Sequence, residues 1–203
     1  LKKIKNDNLI TYGEHQEADI KIQEPNIISY KKSNHIVKSV LLGKHYLSNM
    51  AGAIALCTLY ELSITKIIEA ISKFSGVKRR LEYIGNYKDV KFYDDYGHHP
   101  TEMKATISAL KNSTPGKLFV IFQPHRFTRT RDNFEQLQES LEDADFAVVT
   151  DVYSAGEDPI PGISSKNFKG KNIKYIKSLR SVPIYIKDNI ASGDNVLTLG
   201  AGD

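Results

Sequence analysis

Tyr93-Asp94-Asp95-Tyr96-Gly97-His98-His99-Pro100-Thr101-Glu102 decides how the chain is read, because a β-like run, Val90 to Tyr93, opens there into a loop crowded with ionisable side chains. A helix starts at once. Pro100 suits its first turn, where the missing N–H would be unpaired in any case. Glu102 complements the positive end of the dipole, and Met103, Ile107 and Leu110 recur at helical spacing. In such a strand, loop, helix unit, the loop beyond the strand and the first N–H groups of the helix form an anion site. Asp, Gly and His are also ordinary turn residues, so the stretch alone fits a solvated turn as well as a site. His98 and His99 do not make a metal pair: neighbouring side chains diverge and no His-x-x-x-His spacing occurs, so no metal ligand is expected.

Downstream, strands alternate with helices. A strand at Leu118 to Phe122 precedes a helix with Phe134, Leu137 and Leu141 on one stripe, and a strand at Phe146 to Thr150 follows. A Gly/Pro loop from Ser154 to Gly162, a β-like Ile173 to Ile176, a helix over Val182 to Ile190 and a strand at Val196 to Leu199 complete the order. This alternation predicts an α/β fold, a mostly parallel Rossmann-like sheet with helices on both faces, whose ligands bind beyond the carboxyl ends of the strands. Asp94 to His99, Gln123 to Arg131 and Gly200 to Asp203 all fall at such ends. In the second of these, Arg126 and Arg129 form a candidate anion clamp, since guanidinium forks match carboxylate or phosphate, while Asp132 and Glu135 are placed to cap the next helix. A solvated basic turn fits the same residues.

Upstream, residues Leu1 to Leu42 give short β-like runs at Leu9 to Tyr12, Ile20 to Ile22 and Ile36 to Leu42, after a lysine-rich start with nothing to anchor it. Gly43 to Asn49 leads into an apolar helix, Met50 to Leu62, expected to be buried on most sides, and a second helix spans Ile64 to Phe74. His45 and Asn49 lie one helical turn apart, as candidate ligands or as an ordinary helix start. Ser75-Gly76-Val77-Lys78 reads as a hinge. Residues 1–77 are therefore expected to form one domain and residues 78–203 another.

Composition sets outer bounds. At 203 residues, 40% hydrophobic and 26% charged, the chain has the make-up of an ordinary globular protein with a real core. A net charge of +4 is too mild to imply nucleic acid, and no apolar run is long enough to imply a membrane partner. The single cysteine, Cys57, lies in an apolar helical pattern and fits a small buried residue in a reducing, cytoplasmic compartment.

The loop at Tyr93 to Glu102 resembles the Mur ligase family, and so do Phe122-Gln123-Pro124-His125-Arg126-Phe127-Thr128-Arg129-Thr130, Asp151-Val152-Tyr153-Ser154-Ala155-Gly156-Glu157 and Gly200-Ala201-Gly202-Asp203. The likeness continues upstream through Gly76 to Arg80, Gly43-Lys44-His45 with Asn49, Ile10 to Gly13 and Ala18-Asp19. Family members have a UDP-sugar domain, a central ATPase domain with a phosphate-binding loop, and a C-terminal Rossmann-like domain that closes over the site. The resemblance implies that residues 1–77 are the tail of the ATPase domain, with the first domain and the phosphate loop lying outside this sequence. It implies an ADP-forming ligase: ATP phosphorylates the lactyl carboxylate of UDP-N-acetylmuramate, and the amine of L-alanine attacks the acyl phosphate. Peptidoglycan precursor synthesis is the setting. It places His45 and Asn49 near adenine, Arg80 near the phosphates and Asp95 near the ribose. Tyr96, His98, His125, Arg126 and Arg129 would face the reacting groups, His98 beside the transferred phosphoryl and the two arginines on the alanine carboxylate. Mg2+ would be held by residues beyond these, and Tyr46 stands where relatives often have asparagine. The sequence taken alone would then be inactive. The other readings are a non-catalytic nucleotide or sugar-nucleotide binding module, and the related ligase that recycles whole peptides.

Overall fold

The computed structural model describes residues 9–23 and 25–202, so the lysine-rich start and Asp203 lie outside the described residues. The chain divides into two compact units, Leu1–Ser75 and Gly76–Asp203.

The first unit carries a sheet in the order β1 (Tyr12–Gly13), β2 (Ile20–Gln23), β3 (Ile27–Tyr30) and β4 (Ser33–Ile36), with β1 parallel to β2 and the rest antiparallel. Lys31 and Lys32, at φ 47° and 64°, form the tight β3–β4 turn. Helix α1 runs Lys44–Leu59 and α2 runs Ile64–Ser72. Three sequence expectations change here. The apolar run at Ile36 to Leu42 is strand only at Ile36, because pairing with β3 ends at Ile27↔Ile36. Helix α1 begins well before Met50 and stops short of Leu62. It is buried on one side only: Leu47, Met50, Ala51, Ile54 and Ala55 pack with Ile20, Ile22 and Ile28, while Leu56 is 59% exposed. Cys57 is half-buried at the rim of that cluster rather than inside it.

The second unit is a six-stranded sheet in the order β5-β6-β10-β7-β8-β9. Its strands are β5 (Glu82–Tyr87), β6 (Val90–Asp95), β7 (Leu118–Phe122), β8 (Phe146–Val149), β9 (Ile173–Tyr175) and β10 (Asn195–Leu199). All neighbours are parallel except the β5–β6 hairpin. Helix α3 (Pro100–Lys111) carries the chain from β6 past β10 to β7, and α5 (Phe134–Glu142) links β7 to β8. Helix α6 (Val182–Asn189) returns from β9 in the opposite direction. Right-handed crossovers running in opposite directions place their helices on opposite faces. Accordingly Val182 and Ile186 of α6 pack with Val90, Phe119, Val148 and Val196, whereas the strand alternation turns Leu118, Val120, Phe122, Leu197 and Leu199 to the other face. The α/β, mostly parallel architecture expected from the sequence is the one observed. Short strand runs fully buried from both faces read as continuous apolar segments, which is why β7 and β8 were plain in the sequence.

Side chains at the amino ends fix the turns into the strands. Asp194 accepts from the N–H groups of Lys117 (2.7 Å) and Ala191 (2.8 Å). Asp145 accepts from Leu118 N–H at 2.7 Å and pairs with Lys111 at the end of α3. A Cβ on Gly116 would lie 2.5 Å from Asp194 Oδ1 and 2.9 Å from Gly193 O, so only glycine fits that approach.

Candidate functional site

Because β6, β10 and β7 are neighbours, the three loops at their carboxyl ends are brought side by side, and the loop after β8 joins them. Arg126 N–H donates to Tyr153 O at 2.8 Å, and Tyr153 N–H donates to Pro124 O at 2.8 Å, stitching the β7 and β8 loops together. Gly200 N–H donates to Asp95 O at 3.1 Å and joins the β10 loop to the β6 loop.

Asp95 is the pivot of the first loop. It is 3% exposed, with Oδ2 accepting from Leu81 N–H and Oδ1 from Gly97 N–H, both at 2.7 Å. Burial pushes its carboxyl up, while those two N–H groups and the Arg80 charge pull the other way. Gly97 has no substitute, since a Cβ there would sit 2.6 Å from Asp95 Oδ1. Asp95, the residue expected at the ribose, thus has one backbone N–H on each oxygen and fixes the shape of the loop.

Beyond Gly97, His98 Nδ1 lies 3.0 Å from the Tyr96 carbonyl and 3.8 Å from Glu102 Oε2. His99 serves as the N-cap of α3, its Nδ1 accepting from Thr101 N–H at 3.3 Å. Burial pushes the Glu102 carboxyl up, but the backbone N–H groups of His98 and His99 and the Arg80 charge outweigh it and hold the group below its ordinary value. Arg80 Nη1 is 3.5 Å from Glu102 Oε1, and Arg80 and Arg79 stand 5.9 and 5.1 Å from the centre of the Tyr96 ring. Arg79 reaches deeper, from Asp94 Oδ2 (3.0 Å) to Gly200 O (2.6 Å).

The basic stretch is not all loop: Phe127–Asp132 forms the short helix α4, and Asn133 rather than Asp132 or Glu135 stands at the start of α5. Asp132 instead pairs with Arg131 at 2.7 Å. Arg126 occupies the N-cap of α4 at φ 73° and gives it no side-chain cap. Glu157 substitutes from the β8 loop, taking the N–H and the hydroxyl of Thr128 at 3.0 and 2.6 Å, with Arg126 Nη1 at 4.0 Å. These Thr128 hydrogen bonds hold the Glu157 carboxyl below its ordinary value. Arg129 Nη1 is 3.5 Å from His125 Nδ1. Burial, then the charges of Arg129 and Arg126, push the His125 imidazolium down.

The aromatic rings make a row across the strand ends: Tyr96 to His98 at 5.3 Å, His98 to His125 at 6.3 Å, and His125 stacked on Tyr153 at 5.2 Å. Arginines flank both ends. The second unit thus gathers Arg80, Tyr96, His98, His125, Arg126 and Arg129, with Asp95 beneath. His45 and Asn49 are in the first unit, one turn apart on α1, as their spacing implied. Glu102, Tyr153 and Glu157 join them; each lies in a stretch that resembles the family, but its residue type alone gave it no place in the site. Among the described residues no group of three or more His, Cys, Asp or Glu side chains could hold a metal ion, and no helix is long and apolar enough to cross a membrane.

The profile of the family described as Mur ligase, glutamate ligase domain, matches residues 79–202. A curated UDP-N-acetylmuramate–L-alanine ligase of Desulforamulus reducens is 39% identical over 168 residues, covering 79% of this chain and 36% of that protein. The enzyme of the same name from Mesorhizobium japonicum is 34% identical over 223 residues, covering 99% of this chain and 48% of its own. The chain therefore spans half or less of the length of these relatives. Among solved structures, UDP-N-acetylmuramate–alanine ligase of Thermotoga maritima superposes with a TM-score of 0.76 at 24% identity over 96% of this chain and 45% of that one. MurF ligase of Thermotoga maritima, solved with ADP, gives 0.73 at 21% identity over 94% of this chain and 44% of that one. At these identities the structures speak for the fold.

Proposed function

The chain belongs to the Mur ligase family, and from that premise we propose that it supplies the C-terminal part of an ATP-dependent ligase joining L-alanine to the lactyl carboxylate of UDP-N-acetylmuramate. Its curated relatives carry the name of that activity. In this reading residues 1–77 are the tail of the ATP-binding domain and residues 78–203 the C-terminal ligase domain of a cytoplasmic enzyme. The observation that carries it is the convergence of Arg126, Arg129, His98 and His125 on one row of strand ends.

The reaction develops negative charge on a phosphoryl group and on an acyl oxygen, and catalysis of this kind works by positioning and charge neutralisation. Arg126 and Arg129 bind the alanine carboxylate, His98 and His125 face the acyl phosphate, and Arg80, beside Tyr96, meets the phosphates of ATP. His45 and Asn49 meet the adenine. Asp95 acts from beneath by holding Gly97 and Leu81, so that Tyr96 and His98 project from a rigid loop. No metal ligand is assigned to this chain; Mg2+ would be held by residues outside it and would neutralise phosphate charge. No Gly-Lys-Thr or Gly-Lys-Ser phosphate loop occurs in the 203 residues, so turnover requires sequence beyond them.

The test is ADP release by the full-length protein, with hydroxylamine used to trap the acyl phosphate. Release that needs both UDP-N-acetylmuramate and L-alanine, with a trapped hydroxamate, is expected. Binding without turnover would return the protein to a binding module, and preference for a peptide over free alanine would make it a recycling ligase. Alanine-dependent ADP release from the 203-residue chain alone would refute the division of labour.

A further inference from the structure

We propose that His98 and His125 hold opposite neutral tautomers and so divide the proton work of amide formation, His98 accepting a proton at Nε2 and His125 donating a hydrogen bond from Nε2–H. The proposal rests on the ligase reading above and assigns roles within it.

The tautomers follow from partners that can act in one sense only. His98 Nδ1 faces the Tyr96 carbonyl at 3.0 Å and the Glu102 carboxylate at 3.8 Å. Both are acceptors, so Nδ1 carries the hydrogen and the neutral ring leaves Nε2 bare. His125 Nδ1 faces Arg129 Nη1 at 3.5 Å. A guanidinium has donors and no lone pair to offer, so Nδ1 is bare and Nε2 carries the hydrogen. Burial and the Arg129 and Arg126 charges push the His125 imidazolium down, so its neutral tautomer is the form that matters. Both rings are held in place: Tyr96 packs edge-on against His98 at 87°, and Tyr153 stacks on His125 at 26°. Their centres are 6.3 Å apart. Two groups with environments that fix opposite roles, on the ends of the two strands that flank β10, constitute an acid and base pair.

Amide formation needs that pair. An amino acid arrives as an ammonium ion, and its nitrogen cannot attack until one proton leaves; His98 Nε2 takes it and later passes it to solvent. The nitrogen lone pair then forms the C–N bond to the acyl carbon, and the carbonyl oxygen gains negative charge that His125 Nε2–H stabilises. As the carbonyl re-forms, the C–O bond to the phosphoryl group breaks with its electron pair going to the departing phosphate, which carries away the surplus proton of the amide nitrogen. Arg126 and Arg129 hold the carboxylate of the same amino acid, so one end of the nucleophile is fixed while the other is deprotonated.

Two measurements test this. In the 203-residue chain labelled with 15N-histidine, long-range 1H–15N spectra above pH 7.5 report which ring nitrogen is protonated, with His98→Gln and His125→Gln assigning the signals. An Nδ1–H pattern for His98 and an Nε2–H pattern for His125 are expected, and the same tautomer on both rings overturns the proposal. In the full-length ligase, glutamine reaches the place of Nε2 as a donor while asparagine does not. His98→Gln should then lower kcat by about 100-fold or more, as for loss of a general base. His125→Gln should lose at least about tenfold less than His125→Asn, the span expected for one oxyanion donor. Equal losses for the two His125 variants, or an undiminished kcat for His98→Gln, overturn the roles. If the unsubstituted full-length protein shows no alanine-dependent ADP release, the ligase reading fails and takes the roles with it, while the spectra still decide the tautomers.

Discussion

At φ 73° and ψ 136°, Arg126 occupies a backbone region that costs a non-glycine residue on the order of 1–3 kcal/mol. Its surroundings hold it there: its N–H is tied to Tyr153 O, and its carbonyl accepts from Thr130 N–H (3.1 Å) and Thr130 Oγ1 (2.8 Å). Strain concentrated on a residue whose side chain is half exposed makes sense if the side chain must be aimed. Replacing Arg126 by Gly should therefore raise the unfolding free energy by up to about 1 kcal/mol while turnover falls, a separation that denaturant unfolding and kinetics run together would show. Arg126→Ala and Arg129→Ala should each cost about 2–4 kcal/mol in kcat/KM for alanine in the full-length enzyme, and lysine should restore little because it keeps the charge and loses the fork. Near-normal kcat/KM in both alanine variants would reduce the clamp to a solvated turn. The guanidinium pair was legible in the sequence as a run of basic residues at a strand end. The strain was not, nor was Glu157, because its partner Thr128 is 29 residues away and nothing in either segment announces the other.

Elements were legible where an apolar period marked them. Helix α3 begins at Pro100 and β7 spans Leu118–Phe122 as read, whereas α4 was invisible: Phe127-Thr128-Arg129-Thr130-Arg131-Asp132 has no apolar period, and its cap comes from another loop. The β3–β4 hairpin escaped for a related reason. Its turn residues, Lys31 and Lys32, both have positive φ without the Asn-Gly pair that normally signals such a turn. Lys31→Asn with Lys32→Gly should relieve that strain and stabilise the first unit by about 1 kcal/mol, seen as a higher unfolding midpoint; a lower one would mean the lysines contribute contacts that outweigh their backbone cost. Asp145 gives a pH-dependent counterpart, because it ties the end of α3 to the start of β7. Burial pushes its carboxyl up, but the hydrogen bond and charge of Lys111 and the Leu118 N–H prevail and hold it below its ordinary value. A depressed folded-state value means that the stabilisation is present above about pH 4 and is lost as pH falls through the depressed value. Asp145→Asn should accordingly be less stable than the parent at pH 7, with the gap closing in acid. A gap constant from pH 7 down to pH 2 would show that the carboxylate charge plays no part.

At the scale of the molecule, the alternation of strands and helices announced the architecture, but strand order was out of reach because a crossover's destination depends on packing between elements far apart in sequence. The two units should differ in stability. The first has strands of two to four residues, while the second covers both faces of its sheet with α3 and α5 on one side and α6 on the other. Native-state hydrogen exchange should be slower in Leu118–Phe122 and Asn195–Leu199 than in Tyr12–Gly13 and Ile20–Gln23; the reverse order would contradict the assignment. The position of β10 between β6 and β7 reaches into biosynthesis. A nascent chain that has emerged through residue 190 holds β6 and β7 with no bond between them, each presenting an open edge toward the gap that only Asn195–Leu199 fills. The histidine of one half and the arginines of the other meet only once Asn195–Leu199 has paired with both strands. A ribosome that stalls before residue 195 therefore leaves two half-sheets with open edges, a substrate for chaperones and proteases.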